Sequence, residues 1–356
     1  MREENLVTMI SSSNAFSGNA VRVTNLSKHI KGSKAIFSPP RKNIENAEFV
    51  FSSNRALSIA GKSLKMCVDK SKIVHCFKTL PTSGIPALFG KIKRKPLIVD
   101  WDDYEGFGGF ADHDRFPYNH IADKFEKWVV KRADALTVVS PFLEEKAREF
   151  GYDGPIHMIQ NGADIDGIRY YFPNNKGELK ILFVGLLHKS SDLDFVLKSM
   201  TYVKNVKLTV LGDGPRKKEF ELLAKKLNLD NIEFLGMKKE NDVKKHLYSS
   251  DIALMPFVDN ISNRSRSPVK LGEYLAAGKP IVTNNVGIIK NVIEHGKNGI
   301  ITNDNPQDFA EGIEILRNIK TRKNISINAR KTAEKLSWKN IAFDLKKVYD
   351  EILNKN

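Results

Sequence analysis

The sequence predicts an α/β protein made of two domains, each built around a parallel β-sheet. A chain of 356 residues is too long for one ordinary core and suits two, at roughly 150 residues per domain. β-Branched and aliphatic runs alternate with longer helical patterns along nearly the whole chain, which is typical of βαβ units. With 41% apolar and 28% charged residues, the composition excludes disordered, collagen-like and coiled-coil chains.

The predicted strands fall into two successive sets, with helices between several of them. The first set is Asn5–Ile10, Ala35–Phe37, Lys72–Cys76, Pro96–Val99, Ala135–Val139 and Pro155–Ile159. The second is Leu179–Val184, Val206–Leu211, Ile232–Leu235, Ile252–Met255, Pro280–Thr283 and a short Gly299–Ile301. Two parallel sets indicate two Rossmann-like domains, with ligands beyond the carboxyl ends of the strands. A turn-rich stretch, Asn161–Asp164 and Tyr170–Asn175, separates the sets and predicts domains 1–165 and 166–335.

Cysteine content and charge limit the location and the partners. Cys67 and Cys76 make neither a disulfide framework nor a zinc site, and they fit a reducing compartment such as the cytoplasm. We expect neither a signal peptide nor a membrane span at the acidic N-terminus. The net charge of +15 attracts anions, which include nucleic acid, phosphorylated small molecules and acidic membranes. The excess is +5 before Ile165 and +10 after it, so it lies mainly in the second half.

A basic stretch before a predicted helix is the most informative part of the second half. Ser267 suits an N-cap and Pro268 the first helical position. Arg264, Arg266 and Lys270 crowd the positive end of this helix, which is unfavourable unless an anion binds there. Backbone N–H groups at a helix start, together with cations, form a phosphate site. The alternative is a solvated basic loop.

Glu273 lies one turn beyond Lys270 on the same face of this helix, which Gly278 ends. A carboxylate at this depth cannot cap the helix. It can accept hydrogen bonds from a pair of sugar hydroxyls, or it can form a surface ion pair with Lys270. The residues alone leave both interpretations open.

The stretch Glu273–Val282 resembles family 4 of the retaining nucleotide-sugar glycosyltransferases (GT4, glycosyl transferase group 1). It matches the second half of the family's two-glutamate motif, whereas Ser265 stands in place of the first glutamate. The resemblance implies the GT-B fold, in which two Rossmann-like domains face each other across a deep cleft. It also implies that the segment 336–356, which opens at Leu336-Ser337-Trp338, is a helix that crosses back to the first domain.

Further segments resemble the family in order and spacing, among them Val210–Pro215 and Ile232–Gly236. The family's loop after the first strand of the second domain carries an arginine and a lysine. Here Leu186 stands at the arginine position, and Lys189 supplies one cation. The resemblance implies catalytic roles for Lys189 and Lys270 in stabilising the leaving diphosphate. The implied donor-binding residues are Gly18, Gly185, Gly212, Gly214, Leu235, Arg266, Ser267, Val269, Leu271 and Glu273.

In the first domain, acidic residues follow the strand that begins at Pro96. Asp102 stands where the family has a histidine, and Asp103 matches the family's aspartate, so the resemblance implies catalytic roles for both. Four acids within six residues, ending in glycines, are costly on one loop without hydroxyls, cations or solvent. We expect Asp102 to accept the proton of an acceptor hydroxyl. A solvated loop that caps the next helix is the alternative, and metal binding by these acids is the weaker one.

The resemblance implies a retaining glycosyltransferase of the hexosyl-transferring type, acting in glycan, polysaccharide or glycolipid assembly. Its donor would be a nucleotide-diphosphate sugar, with no cofactor and no metal ion required. One alternative is a nucleotide-sugar epimerase or hydrolase of the same fold. Another is a basic nucleic-acid-binding protein, although the densest basic cluster has no interleaved aromatic residues. That cluster, Lys91, Lys93, Arg94 and Lys95, suits an anionic membrane surface near a lipid-linked acceptor or a merely solubilising loop.

Overall fold

Aliphatic runs bounded by polar turns form the strands of two parallel sheets, as their patterns predict. The structure is a computed structural model that describes residues 5–12, 18–37, 47–50, 54–110, 116–173 and 177–355. The chain forms two units. The first comprises Met1–Gly162, Arg264–Val269 and Trp338–Asn356, and the second Ala163–Asn263 and Lys270–Ser337. The change of unit after Gly162 lies close to residue 165, whereas sequence reasoning did not assign Arg264–Val269 to the first unit.

The first unit contains a seven-stranded parallel sheet. Its strands are β1 (Val7–Ser11), β2 (Ser33–Phe37), β3 (Ala47–Phe49), β4 (Ile73–Phe77), β5 (Leu97–Trp101), β6 (Ala135–Val138) and β7 (Ile156–Met158). They lie in the order β3-β2-β1-β4-β5-β6-β7. The order changes direction between β1 and β4, and ligands of doubly wound sheets bind at such a point. The helices are α1 (Gly18–His29), α2 (Arg55–Val68), α3 (Pro81–Ile92), α4 (Tyr118–Val130) and α5 (Pro141–Glu149).

The second unit contains a six-stranded parallel sheet in the order β10-β9-β8-β11-β12-β13. The strands are β8 (Leu179–Val184), β9 (Val206–Leu211), β10 (Ile232–Gly236), β11 (Ile252–Met255), β12 (Ile281–Asn284) and β13 (Ile300–Thr302). Its helices are α6 (Leu193–Met200), α7 (Lys217–Lys226), α8 (Glu240–Ser249), α10 (Val269–Ala276, from Lys270 onward), α11 (Ile289–Val292), α12 (Pro306–Ile315) and α13 (Ile319–Lys335). The preceding helix, α9 (Ile261–Ser265), begins in the second unit, and its last two residues belong to the first. The last helix of the chain, α14 (Trp338–Lys355), belongs to the first unit.

Two buried clusters hold the second unit together. Phe183, Phe220 and Phe309 belong to one of them. Leu182, Tyr274 and further residues of α10 belong to the other. Helix α10 is therefore anchored in the core through its buried face. The chain returns to the second unit at Lys270, in the first turn of this helix.

Candidate functional site

The acidic residues after Pro96 divide between a strand and a loop. Asp100 lies inside β5, where it is fully buried and accepts hydrogen bonds from Arg22, Nη2–Oδ2 2.7 Å and Nε–Oδ1 3.0 Å. The prediction of four acids on one loop is wrong for Asp100, because β5 continues to Trp101 and the buried carboxylate is paired with a guanidinium. Three acids remain in the loop: Asp102, Asp103 and Glu105.

The Arg22–Asp100 pair belongs to a buried polar network that reaches α14. Thr137 Oγ1 donates a hydrogen bond to Asp100 Oδ2 at 2.8 Å. His75 lies between Thr137, 3.3 Å away, and the hydroxyl of Tyr349, 2.7 Å away. Burial, reinforced by the charge of Arg22, holds the pKa of His75 well below its usual range, so the ring is neutral at pH 7. This network anchors the last helix to the sheet of the first unit.

Lys78, which sequence reasoning did not single out, pairs with all three carboxylates of the acidic loop. Its Nζ lies 2.6 Å from the carboxylate of Asp103, 2.7 Å from that of Glu105 and 3.8 Å from that of Asp102. Burial alone would lower the pKa of Lys78, but the three carboxylates outweigh it and hold that pKa well above its usual value. Burial raises the pKa of Asp103 to about 7, although the charge of Lys78 opposes the shift. The lysine therefore serves as the internal counter-ion of the loop.

Asp102 differs from Asp103 and Glu105 because one of its oxygens, Oδ1, is buried without a hydrogen bond to any described residue and lies 3.8 Å from Lys78 Nζ. Asn19 Nδ2 donates to Asp102 Oδ2 at 3.2 Å, and Asn19 in turn accepts a hydrogen bond from Ser11. Asp102 Oδ1 is buried and has no hydrogen-bond partner within the described residues. Buried carboxylate oxygens are normally satisfied. This oxygen can therefore accept a hydrogen bond from a ligand hydroxyl, as expected for a group that binds an acceptor.

Gly18 begins α1, one residue before Asn19, which holds Asp102. Among the residues that the structure describes, a Cβ placed on Gly18 would meet Val269 alone, at 4.0 Å. The residues Ser13 to Ser17 of the predicted glycine-containing turn lie outside the described residues. Gly18 and Val269 both belong to the first unit, although Val269 was predicted to bind the donor with the second domain.

Glu126 on α4 is a second buried acid that sequence reasoning missed. Its Oε1 accepts hydrogen bonds from Trp101 Nε1 at 2.7 Å, from the backbone N–H of Glu105 at 2.8 Å and from Thr79 Oγ1 at 3.0 Å. Burial raises the pKa of Glu126 to about 8. The signal was present, because a glutamate on the buried face of an amphipathic helix needs partners. Glu126 fixes the backbone from which the acidic loop projects.

Helix α10 ends as the sequence predicts and begins one residue later. Gly278 has a φ of 67°, and the N–H groups of Gly278 and Lys279 bond to the carbonyls of Leu275 and Tyr274 in a Schellman motif. The helix starts at Val269, so Pro268 is not its first residue as predicted. The backbone N–H of Asn161 donates to the hydroxyl of Ser267 at 3.2 Å.

Ser265, at the position of the family's first glutamate, is buried in the first unit. Its hydroxyl accepts a hydrogen bond from the N–H of Tyr104 at 3.3 Å, and its carbonyl accepts one from Ser140 at 2.9 Å. A longer acidic side chain would disrupt these contacts. Of the two neighbouring arginines, Arg264 is exposed and Arg266 is partly exposed. The segment Arg264–Val269 therefore belongs to the first unit, and it brings two serines and two arginines to that unit.

Lys270 and Glu273 form an ion pair at the start of α10. The Nζ–Oε2 distance is 2.6 Å, and their side chains are 34% and 25% exposed. The hydroxyl of Tyr274 accepts a hydrogen bond from the N–H of Val184 at 3.0 Å, which fixes this turn of α10 to the end of β8. The ion pair that the sequence left as one alternative is present, and both partners keep a solvent-facing surface.

The glycine turns after β8 and β9 cross at close range. A Cβ on Gly212, whose φ is 144°, would lie 1.8 Å from the carbonyl oxygen of Gly185. A Cβ on Gly214, with φ of 159°, would lie 2.4 Å from that of Leu187. The neighbouring backbone leaves no room for a side chain at Gly212 or Gly214. This steric reason explains both glycines without a bound ligand. His188 Nδ1 accepts the N–H of Ser190 and so closes the next turn.

The remaining predicted donor residues lie in different surroundings. Lys189 is exposed in a short 3₁₀ helix after β8, and Leu186 beside it is 59% exposed. Leu235 is partly buried at a register shift in β10. Leu271 is buried in the core of the second unit, so its side chain cannot contact a ligand. Lys189, Lys270 and Glu273 are therefore the predicted residues of this unit that present charged side chains to solvent.

The predicted basic cluster is largely engaged in contacts within the first unit. Lys91 pairs with Asp134 at 2.9 Å, and Lys95 pairs with the nearly buried Asp69. Lys93 donates to the carbonyl of Cys67, the penultimate residue of α2.

Within the described ranges, no group of three or more His, Cys, Asp or Glu side chains could hold a metal ion. No described helix is both long and apolar enough to span a bilayer.

Two parallel Rossmann-like sheets, together with the cationic start of α10, are the features of an α/β enzyme with the GT-B fold. The sequence model of the family glycosyl transferases group 1 matches residues 165–332 of this chain. The sequence model of the glycosyl transferase 4-like domain matches residues 61–162. The chain is 32% identical to the uncharacterized glycosyltransferase MJ1607 of Methanocaldococcus jannaschii, over 79% of this chain and 76% of that protein. The protein belongs to the group 1 glycosyltransferases, of the GT4 type.

Two further comparisons agree with this assignment. MJ1178 of the same organism, also an uncharacterized glycosyltransferase, is 28% identical to this chain. The match covers 64% of this chain and 62% of the length of MJ1178. Anabaena HepE in complex with UDP and glucose superimposes with a TM-score of 0.77 at 14% identity, over 97% of this chain and 99% of that chain. The latter likeness shows the GT-B fold. Neither an epimerase or hydrolase nor a nucleic-acid-binding protein is supported by these similarities.

Proposed function

We propose that this glycosyltransferase moves a sugar from a nucleoside-diphosphate sugar to an acceptor hydroxyl, with retention of anomeric configuration and without a metal ion. The partly exposed Lys270–Glu273 pair at the start of α10 carries the donor part of this proposal. HepE binds UDP, which supports a nucleotide sugar as the class of donor. Retention rests on the resemblance to the GT4 family, and the expected products are glycans, polysaccharides or glycolipids.

On the donor side, negative charge develops on the diphosphate as its bond to the anomeric carbon breaks. Lys270 and the exposed Lys189 stabilise that charge, because ammonium groups bind diphosphate through charge-assisted hydrogen bonds. Glu273 accepts hydrogen bonds from the ribose hydroxyls. Lys270 exchanges part of its interaction with Glu273 for the diphosphate, so binding does not leave either charge unpaired.

On the acceptor side, the attacking hydroxyl forms the new bond to the anomeric carbon and loses its proton. Asp102 accepts this proton on Oδ1, the buried oxygen with no hydrogen-bond partner in the described part of the chain. Asn19 holds the other oxygen and so fixes the orientation of the carboxylate. Lys78 keeps Asp103 and Glu105 compensated, which prevents them from competing for the acceptor.

The test is a transfer assay that follows the anomeric configuration of the product by NMR. We expect a retained configuration, and Glu273→Ala or Lys270→Ala to abolish transfer while the far-UV circular dichroism stays unchanged. Turnover at the wild-type rate in either variant would remove these residues from the donor site. Inversion would overturn retention alone.

Addition of EDTA tests the metal-free part of the proposal separately. We expect EDTA to leave the rate unchanged, since ammonium groups and a helix start supply the positive charge. Loss of activity that added Mg²⁺ or Mn²⁺ restores would show that a metal ion takes part. The prediction that Lys91, Lys93, Arg94 and Lys95 contact an anionic membrane stays a prediction.

A further inference from the structure

Most of the net positive charge of the protein lies in one stretch. Residues 49–99 contain ten lysines and arginines and a single acid, Asp69, which gives +9 of the total of +15. Residues 100–164 have the opposite sign, with seven basic and fourteen acidic side chains. The excess of +5 over the first half conceals this segregation. The basic stretch contains α2 and α3, neither of which has an acidic residue.

Helix α2 presents its apolar side to solvent. Its buried positions are Ser58, Lys62, Ser63 and Met66. Apart from Arg55, its exposed positions are all apolar: Ala56, Leu57, Ala60, Leu64, Cys67 and Val68. Amphipathic helices of globular proteins normally have the reverse arrangement. Leu57, Leu64 and Val68 are 62%, 70% and 77% exposed, which is unfavourable in water.

Helix α3 extends this apolar surface. Phe89 and Ile92 lie one turn apart on α3 and are 37% and 76% exposed. The C-terminal ends of α2 and α3 meet where Lys93 donates to the carbonyl of Cys67, so Val68 and Ile92 belong to neighbouring helix ends. We call these five large side chains the α2–α3 face: Leu57, Leu64, Val68, Phe89 and Ile92.

Exposed cations accompany the α2–α3 face. Lys70, Lys93 and Arg94 follow the ends of α2 and α3 and are exposed. Lys91 and Lys95, in contrast, are paired with Asp134 and Asp69. The positive charge beside the face is therefore supplied by the helix ends rather than by the whole predicted cluster.

We propose that the α2–α3 face docks peripherally on an anionic lipid bilayer. A protruding aliphatic and aromatic surface inserts among acyl chains, while lysine and arginine beside it interact with anionic headgroups. Nucleic acid fits this surface poorly, because four of its five large side chains are aliphatic and Phe89 alone offers a ring on which a base could stack. The proposal goes beyond glycosyl transfer and does not depend on the identity of the sugar or of the acceptor.

Vesicle co-sedimentation of the full chain tests the proposal without donor or acceptor. We expect binding to phosphatidylcholine vesicles that contain about one third phosphatidylglycerol, and little binding to pure phosphatidylcholine. Leu64→Ser combined with Val68→Ser should weaken binding to the anionic vesicles at least about tenfold, because both side chains lose their insertion into the bilayer. Both positions are exposed, so the variant should keep the wild-type circular dichroism.

Leu222→Ser is the matched control, since Leu222 on α7 is also 66% exposed but lies in the second unit. It should bind vesicles as the wild type does. Equal binding by the double variant and the wild type would overturn the proposal, as would wild-type binding that is indifferent to anionic lipid. Concentration-dependent self-association that Leu64→Ser and Val68→Ser abolish, without any vesicle binding, would make the face a contact between copies and would likewise overturn it.

Discussion

The acidic region after β5 and the cationic start of α10 hold their charges in opposite ways. Asp100 and Arg22 are fully buried, and Lys78 compensates the loop carboxylates beside them. Lys270 and Glu273 keep 34% and 25% of their side-chain surface in solvent. A buried charge must be matched inside the protein, whereas an exposed cation can be matched by a ligand. Substitutions in the first region should therefore affect folding as well as chemistry, and substitutions in the second should affect donor binding and transfer while the fold stays intact.

The largest effect on stability is expected for Arg22→Met. Removing one partner of a buried ion pair leaves Asp100 charged without a counter-ion, which costs about 3–5 kcal/mol of unfolding free energy. Urea denaturation measures the loss. Lys297→Met, which breaks the exposed pair with Glu294, should cost less than about 1 kcal/mol. Similar losses for both variants would remove the distinction between buried and exposed charges.

Asp102→Asn should have the largest effect on turnover among substitutions in the first region. The amide cannot accept the proton of the acceptor hydroxyl, so the rate of transfer should fall about 100- to 10,000-fold, with the fold retained. Asp103→Asn is the matched comparison, because Asp103 lies on the same loop but its carboxylate is engaged by Lys78 at 2.6 Å. The rate of transfer should fall much less in Asp103→Asn than in Asp102→Asn. Equal losses in steady-state kinetics would contradict the assignment of Asp102 as the base.

Glu126→Gln should change the pH dependence of stability. Burial raises the pKa of folded Glu126 to about 8 from its ordinary 4.5. The unfolded chain therefore releases the proton first, and stability falls as pH rises from about 4.5 to about 8, by up to about 1.4 kcal/mol per pH unit. The glutamine variant lacks this loss. Its unfolding free energy should exceed that of the wild type increasingly across this window, and parallel curves would contradict the burial of an uncompensated acid.

Much of the sheet framework could be predicted from sequence, and most of the charge compensation could not. The limits of β8, β9 and β11 match the prediction, because continuous aliphatic runs between turns define buried parallel strands. β3 was missed because three residues, Ala47–Phe49, are too few for a detectable period. Gly278 was predictable because the end of a helix is a local feature.

The roles of Lys78, Arg22 and Glu126 depend on partners far away in sequence. Lys78 meets Asp103, 25 residues later, and Arg22 meets Asp100, 78 residues later. No spacing rule relates such residues before the strand order is known. For the same reason, the inclusion of Ser265 in the first unit could not be read from its neighbours in the chain. The sequence pointed to Asp102 and Glu273 through family resemblance, and their surroundings became visible only in the structure.

Lys270→Met should abolish transfer as Lys270→Ala does, and its effect on donor binding should be smaller. Loss of a charge-assisted hydrogen bond to diphosphate should weaken donor affinity about tenfold, with little change in the melting temperature of the ligand-free protein. Isothermal titration calorimetry measures the affinity. Lys244→Met, which breaks the ion pair with Glu240 on α8 in the same unit, should bind the donor normally. Weakened binding by both variants would point to a general effect of charge rather than to a site.

The central claim is that the charged turn of α10 binds a nucleoside-diphosphate sugar. Thermal shift of the wild type and of Glu273→Ala against UDP-, GDP- and ADP-sugars tests it most directly, because a ligand that binds the native state raises the melting temperature. We predict that sugars of one nucleotide raise the melting temperature of the wild type and leave that of Glu273→Ala unchanged. An equal rise in both proteins, or no rise with any of the sugars, would contradict the account.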